Sequence, residues 1–380
     1  MKILLATETY LPTISGVVVF TQNIAEELVA RGHEVAIFAP SSHRVYGHEI
    51  KNGIHIYRFP SFPVPFRMSS RFMVRQYRRV QKAYHEFGPD VVHLQSPSGV
   101  PAAVQRCARR DFVPVIATHH FALEFIMAYL KPLAFISSLT QRALVGYLNQ
   151  FYRKCDYVTC PTQNIKKNLI EAGIKVPLHV ISNGVSLSHF NSADHHESSE
   201  KAPLVLYVGR VDQDKNIPVF LDALPEVLEK VAARVVIAGG GNKLSASKRW
   251  VRDHDLASKV SFTGKIPHRG TQLQKLFLQA SVFVVPSLIE TQSLGTLEAL
   301  ACGVPVVASD AGALPELVHH GKNGYLVSPS APEEFAQYII KLLEDPELRE
   351  TMGAAGREIV SHHNLSAVVS KFLHVYEGNR

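Results

Sequence analysis

Short β-branched runs alternate along this chain with longer segments of helical period. The runs at 3–7, 34–39, 54–58, 90–94, 114–118, 156–160 and 178–182 read as buried strands. Six more follow at 204–208, 234–238, 259–263, 281–285, 304–308 and 325–327. Helical stretches lie between most of them. Strand–helix alternation builds parallel sheets covered on both faces. The pattern breaks over 186–202, which is polar, rich in Ser and His, and without period, so it reads as a linker. Each side of it opens alike, with a buried strand, a Gly-containing loop and a helix: ILLATETYLPTISG first, PLVLYVGRVDQDKN second. The expected architecture is α/β, with two doubly wound Rossmann-like domains in series over 1–185 and 203–360. The last stretch, 361–380, reads as a helix that can pack anywhere, including back on the first domain.

The length of 380 residues suits two cores, and a chain that is 46% hydrophobic and 19% charged is not disordered. Four apolar residues after Lys2 are too few for a signal-peptide core. No run of about 18 apolar residues exists, because Glu124, Lys131-Pro132 and Arg142 interrupt the best candidate, 121–148. Cys107, Cys155, Cys160 and Cys302 lack metal-site spacing and read as reduced thiols of a cytosolic protein. Adjacent histidines such as His119-His120 point to opposite faces of a strand and chelate poorly, so no metal site is expected. The net charge of +7 is uneven. Residues 1–190 hold 21 Lys/Arg against 11 Asp/Glu, and residues 191–380 hold 19 against 22. That argues against a nucleic-acid coat and for one basic surface with its own partner.

In open parallel sheets, ligands bind beyond the carboxyl ends of the strands. The unusual residues sit there: Gly16, His119-His120, Arg210 and Lys215, Gly239-Gly240-Gly241, and Glu290. If the loaded edges of the two sheets face each other, they enclose a cleft. The densest stretch is PSLIETQSLGTLEALACGVPVVA, over 286–308. Glu290 reads as the end of a strand and Glu298 as about two turns into the next helix, on its cleft-facing side. Backbone N–H groups near Ser293 and Leu294 would lie at that helix's N-terminus and could hold a phosphate. Spacing alone is equally that of an ordinary helix start, with Glu290 offsetting the dipole and Glu298 solvated.

This stretch resembles the E-x7-E signature of retaining glycosyltransferase family 4, whose fold is GT-B. The resemblance extends over nearly the whole chain. Pro12 to Gly16 resembles the family's P-x-x-G-G loop, with Ser15 in place of the first glycine. Ser182-Asn183-Gly184-Val185 resembles its P-N-G-V-D segment, and Gly209-Arg210 with Asp214-Lys215-Asn216 its G-R…E-K-G/N loop. Ala313 to Glu316 and Gly321 to Gly324 match its late G-x-x-E and G-x-x-G turns. ETQSLGTLEA and THHFALEFIMAYL are most similar to the glycolipid branch, which includes diacylglycerol glucosyltransferases; phosphatidylinositol mannosyltransferases are more distant.

The resemblance implies a nucleotide-sugar donor as co-substrate, of UDP-glucose or GDP-mannose type, with no cofactor. It implies a hydroxyl acceptor, a membrane lipid in the glycolipid branch, and a protein peripheral at the cytoplasmic face of the membrane. Arg210 and Lys215 match the pair that meets the leaving diphosphate, and Glu290 the contact to the donor sugar. Glu298 matches the residue on the ribose hydroxyls, Ser293 and Leu294 the phosphate-facing amides, and Ile266 a backbone position that reads the base. Gly16 would let phosphate or acceptor approach the backbone. His120 aligns with a histidine that contacts the donor sugar, with His119 beside it as the spare. Asp212-Gln213-Asp214 imitates a metal-binding D-x-D, but two flanking cations can supply the charge a metal would, so no metal dependence is expected. An epimerase or hydrolase on the same fold, a transferase for a soluble or polysaccharide acceptor, and a non-catalytic nucleotide- or membrane-binding protein remain open.

The basic excess has a focus. No acidic residue lies between Glu49 and Glu86, and 67–84 reads RMSSRFMVRQYRRVQKAY. Arg67, Arg71, Arg75, Arg78, Arg79 and Lys82 follow helical spacing on one side, with Met73, Tyr77, Val80 and Tyr84 on another. This predicts an amphipathic helix whose cations suit anionic headgroups. The same pattern fits a sheet-covering helix with a solvated face.

Overall fold

The computed structural model describes residues 1–42, 45–64, 67–73, 76–122, 137–190, 202–268 and 270–378. They pack as two compact units, 1–183 together with 365–380, and 184–364. The first unit is built on β1 (Lys2–Ala6), β2 (Glu34–Ser41), β3 (Gly47–Lys51), β4 (Ile54–Pro60), the pair β5 (Phe62–Val64) and β6 (Arg67–Phe72), β7 (Val91–Leu94), β8 (Val115–Thr118), β9 (Tyr157–Cys160) and β10 (His179–Val180). Its main sheet has the order β10-β9-β8-β7-β1-β2-β4-β3. Only β3 runs antiparallel there. The second unit holds β11 (Leu204–Val208), β12 (Arg234–Ala238), β13 (Val260–Gly264), β14 (Val282–Val285), β15 (Val306–Ser309) and β16 (Gly324–Val327). These form one parallel sheet in the order β13-β12-β11-β14-β15-β16.

Both orders place the site. Each chain segment lays its first strands outward to one side and its later strands to the other. The direction reverses between β1 and β7 in the first unit, and between β11 and β14 in the second. The crevice at such a reversal is where a ligand meets loops from two neighbouring strands. The central strands are buried along nearly their whole length, with only Lys2 and Val208 partly exposed, as suits strands covered on both faces.

The final helix, Leu365–Tyr376, belongs to the first unit. Its Val368, Val369, Phe372 and Tyr376 share a core with Ile3, Leu5, Phe20 and Ile24. The Tyr376 hydroxyl lies 2.7 Å from His93 Nδ1, and Arg31 donates to Ser366 O at 2.6 Å. In the second unit Phe283, Leu297, Leu300 and Val306 fill one face of the sheet, and Phe220, Leu224, Ile237 and Phe335 the other. The segment read as a linker starts differently: Leu187–Phe190 is helical, and buried Phe190 packs on Phe277 at 5.7 Å between ring centroids. Residues 191–201 of that segment lie outside the described residues.

The expected helix over 67–84 is corrected. Residues 67–72 form β6, paired antiparallel with β5, and the helix spans Tyr77–Phe87. The arginine spacing is helical, but Phe62-Pro63-Val64 offers the preceding segment a hairpin partner, and pairing overrides a weak local pattern. Arg71 therefore sits on a strand, and Arg75 lies outside the described residues. Strand β3 gives no apolar alternation either. It is an exposed edge strand, held by its register with β4, and its charged residues suit an edge.

Candidate functional site

The loop after β11 carries Gly209 to Asn216, and the loop after β14 carries Pro286 to Ser293. Leu288 N donates to Asp214 O at 2.9 Å, which joins the two at the sheet's reversal point. Lys215 Nζ lies 2.6 Å from Glu290 Oε1 and 3.8 Å from Asp214 Oδ2. Arg210 donates to Asp214 Oδ2 at 2.7 Å and also to Asp212. Burial works against the Arg210 charge, and the Asp214 and Asp212 carboxylates outweigh it, so its pKa is raised. Two cations and three carboxylates thus form one connected cluster, with the lysine–glutamate pair mostly buried. An anion arriving here would find cations whose positions are already set.

The surroundings hold this cluster in place. The Tyr207 hydroxyl donates to Arg210 O at 2.6 Å. Gly312 adopts φ +56°, and a Cβ there would stand 2.8 Å from Glu290 N; Ala313 N donates to Glu290 O at 3.1 Å. The turn after β15 therefore fixes the Glu290 backbone. Glu290 does not end a strand: β14 stops at Val285, and Glu290 lies in the loop beyond. Ser293 caps the helix Leu294–Ala301, accepting from Thr296 N at 3.3 Å. Because the helix starts only there, Glu298 is one turn in, not two. It is buried rather than solvated, and it accepts from His268 Nε2. Burial favours the neutral His268 ring, but Glu298 outweighs it and raises the His268 pKa. His268 follows buried Ile266 in the loop after β13, and no sequence pattern singled it out, because its partner is 30 residues away.

In the first unit, Ser15 caps the helix Gly16–Ala30, accepting from Val18 N at 3.4 Å, and Gly16 is exposed at its first position. His120 Nε2 lies 2.7 Å from Gln95 Oε1, which brings the loops after β7 and β8 together; His119 Nδ1 lies 2.7 Å from the Tyr152 hydroxyl. His93 bridges Tyr376 and Thr118 Oγ1 (2.6 Å). Burial pushes His93 down to about 3, His119 to about 4, and His120 well below its ordinary value. His120 therefore serves as a neutral hydrogen-bonding ring, and Gln95, missed in the sequence, orients it. These folded-state values lie below the unfolded value of about 6.5. Their contribution is complete above about pH 6.5 and is lost as the pH falls toward the folded values. The melting temperature should fall progressively from about pH 6.5 to about pH 4, and less so in His93→Gln. A wild-type melt that stays flat over that range would contradict the burial of these rings.

On the basic surface, Arg78, Arg79 and Lys82 are exposed, while Val80, Ala83, Tyr84 and Phe87 face the core. No helix among the described residues is long and apolar enough to cross a membrane. Among the same residues, no group of three or more His, Cys, Asp or Glu side chains is arranged to hold a metal ion.

Comparison with known proteins matches residues 14–189 to the Glycosyltransferase Family 4 model and residues 190–359 to the model for glycosyl transferases group 1. An alpha-monoglucosyldiacylglycerol synthase of Streptococcus pneumoniae is 28% identical over 98% of this chain and 85% of its own. A phosphatidyl-myo-inositol mannosyltransferase of Mycobacterium tuberculosis is also 28% identical, over 95% of this chain and 93% of its own. Identity therefore does not rank one of these above the other. Among solved structures, Anabaena HepE in complex with UDP-glucose superposes with a TM-score of 0.78, covering 100% of both chains at 19% identity.

Proposed function

The chain belongs to the GT-B glycosyltransferases, a family 4 segment followed by a group 1 segment, and from that premise we propose a retaining, lipid-directed hexosyltransferase. The donor is a nucleotide sugar of UDP-glucose or GDP-mannose type, and the acceptor is a hydroxyl of a membrane lipid such as diacylglycerol or a phospholipid. The observation that carries the reading is the Arg210–Asp214–Lys215–Glu290 cluster at the reversal point of the second sheet.

The acceptor oxygen forms its bond to the anomeric carbon on the face the diphosphate leaves. The bond from that carbon to the phosphate oxygen breaks, and the departing oxygen takes the acceptor's proton. Arg210 and Lys215 meet the charge growing on the diphosphate; a charge-assisted bond there is worth about 1.5–3 kcal/mol. Both cations supply the charge a metal ion would. Glu290 holds the sugar hydroxyls, and neutral His120 is a hydrogen-bonding ring for a hydroxyl group. Glu298, kept in place by His268, takes the ribose hydroxyls, and the Ser293–Leu294 amides take a phosphate oxygen. Ile266 offers its backbone to the base, and Gly16 leaves room for phosphate or acceptor. Arg78, Arg79 and Lys82 meet anionic headgroups at ~1 kcal/mol per cation, so the protein works as a peripheral enzyme.

The test is transfer from UDP-glucose or GDP-mannose to diacylglycerol- or phosphatidylinositol-containing vesicles in chelator, with the anomer assigned by NMR. A lipid product that keeps the donor's anomeric configuration is expected. Only inverted products, or free sugar with no lipid product, would sink the proposal.

A further inference from the structure

The basic surface extends onto a second helix and ends in an aromatic side chain that the described residues leave exposed. Helix Gly99–Arg110 packs beside helix Tyr77–Phe87: the Arg106 guanidinium lies 5.1 Å from the Tyr77 ring centroid, and His85 pairs with Asp111 at 3.4 Å. Arg106, Arg109 and Arg110 are exposed at i, i+3 and i+4, so they share one face. Over the two helices and Asp111, six Lys/Arg stand against Glu86 and Asp111.

Phe112 follows at once. It is 94% exposed, more than any other large apolar side chain among the described residues, and its backbone is left-handed at φ +57°. The geometry is a helix C-terminal cap: Val113 N donates to Ala108 O at 2.9 Å, with Phe112 at the left-handed position. The same cap recurs in this chain. Gly32, Gly173 and Gly303 fill the position after helices Gly16–Ala30, Gln163–Glu171 and Leu294–Ala301, and Asp255 fills it after Leu244–Asp253. Glycine fits there without strain, and a bulky ring does not. A strained backbone that presents a large apolar group to water is the kind of outlier that points to a function.

We propose that Phe112 inserts into the headgroup region of an anionic bilayer, with Arg106, Arg109 and Arg110 on the phosphates around it. An aromatic ring beside a run of cations is the composition of an interfacial membrane anchor. The assignment rests on the lipid-directed reading above and adds a specific contact to it.

The experiment is sedimentation of the full chain with phosphatidylcholine vesicles, with and without phosphatidylglycerol, for wild type, Phe112→Asn and Arg106→Ser/Arg109→Ser/Arg110→Ser. Asparagine tolerates the left-handed backbone, so Phe112→Asn should melt no lower than wild type and keep its donor-induced thermal shift. Its partitioning into anionic vesicles should fall on the order of tenfold. The triple variant should lose about fivefold per cation in anionic vesicles and nothing in neutral ones. If wild type does not partition at all, the membrane reading falls and this contact with it. If wild type partitions and Phe112→Asn partitions equally, this inference alone is overturned. Tighter wild-type binding to a DNA duplex than to anionic vesicles would also overturn it, by making the surface a nucleic-acid site.

Discussion

Lys215→Ala should lower kcat on the order of 10²–10³ while leaving the protein folded. Lys215 Nζ is the only described cation recorded within 4.0 Å of both Asp214 and Glu290, and its side chain is 14% exposed. In the proposed reaction it faces a phosphate oxygen whose charge grows as the sugar departs. Removing it takes away a donor fixed before the reaction starts, and it leaves the three carboxylates of the cluster with Arg210 as its one remaining cation. The loss should fall mainly on kcat, because the charge is largest in the transition state. Lys215→Arg should not restore full rate, since a planar guanidinium does not replace a compact ammonium opposite Glu290. Activity of Lys215→Ala within about tenfold of wild type, in a variant whose thermal melt is unchanged, would remove Lys215 from the chemistry.

The second sheet was legible almost to the residue. The runs 204–208 and 234–238 are the observed β11 and β12, because fully buried parallel strands read as unbroken apolar stretches between turn residues. The residues that the structure gathers after β11 and β14 could be named from the sequence too, since their order in the chain resembles a known signature. What the sequence hid lies in pairing across distance. His268 meets Glu298, Gln95 meets His120, and Gly312 meets the Glu290 backbone, each by tertiary contact that no local spacing encodes. The false helix over 67–72 has the same cause: β5 decided the conformation of β6, and a regular row of arginines did not. Phe112 was invisible for the opposite reason. One phenylalanine between Asp111 and Val113 carries no local pattern, and only its backbone angle and exposure set it apart.

Long-range contacts also explain two of the three successive glycines after β12, Gly239 and Gly241, in a run that fits no dinucleotide-binding spacing. Gly239 N-terminal to the turn has φ +149°, and a Cβ there would stand 1.7 Å from Gly209 O. A Cβ on Gly241 would stand 2.3 Å from Val211 O. The two loops are laced together: Gly209 N donates to Ala238 O at 2.9 Å, Val211 N to Gly240 O at 3.0 Å, and Asn242 N to Asp212 Oδ1 at 2.8 Å. The glycines therefore act as the bed on which the Arg210–Lys215 loop lies. Gly239→Ala must push that loop away, since the obstructing atom is backbone and cannot rotate aside. Overpacking of this kind costs about 1–3 kcal/mol, which a thermal melt would read directly. The larger effect should be on function: a shift of about 1 Å in Arg210 and Lys215 is expected to reduce kcat/KM on the order of 10²-fold. The donor-induced thermal shift should shrink with it. Gly146→Ala is the control, because nothing lies within 4 Å of that Cβ and the residue sits inside helix Ser137–Tyr152, where alanine is favoured. It should be neutral or stabilising. If Gly239→Ala instead matched Gly146→Ala in donor binding and turnover, the loop after β11 would not be what holds the nucleotide sugar.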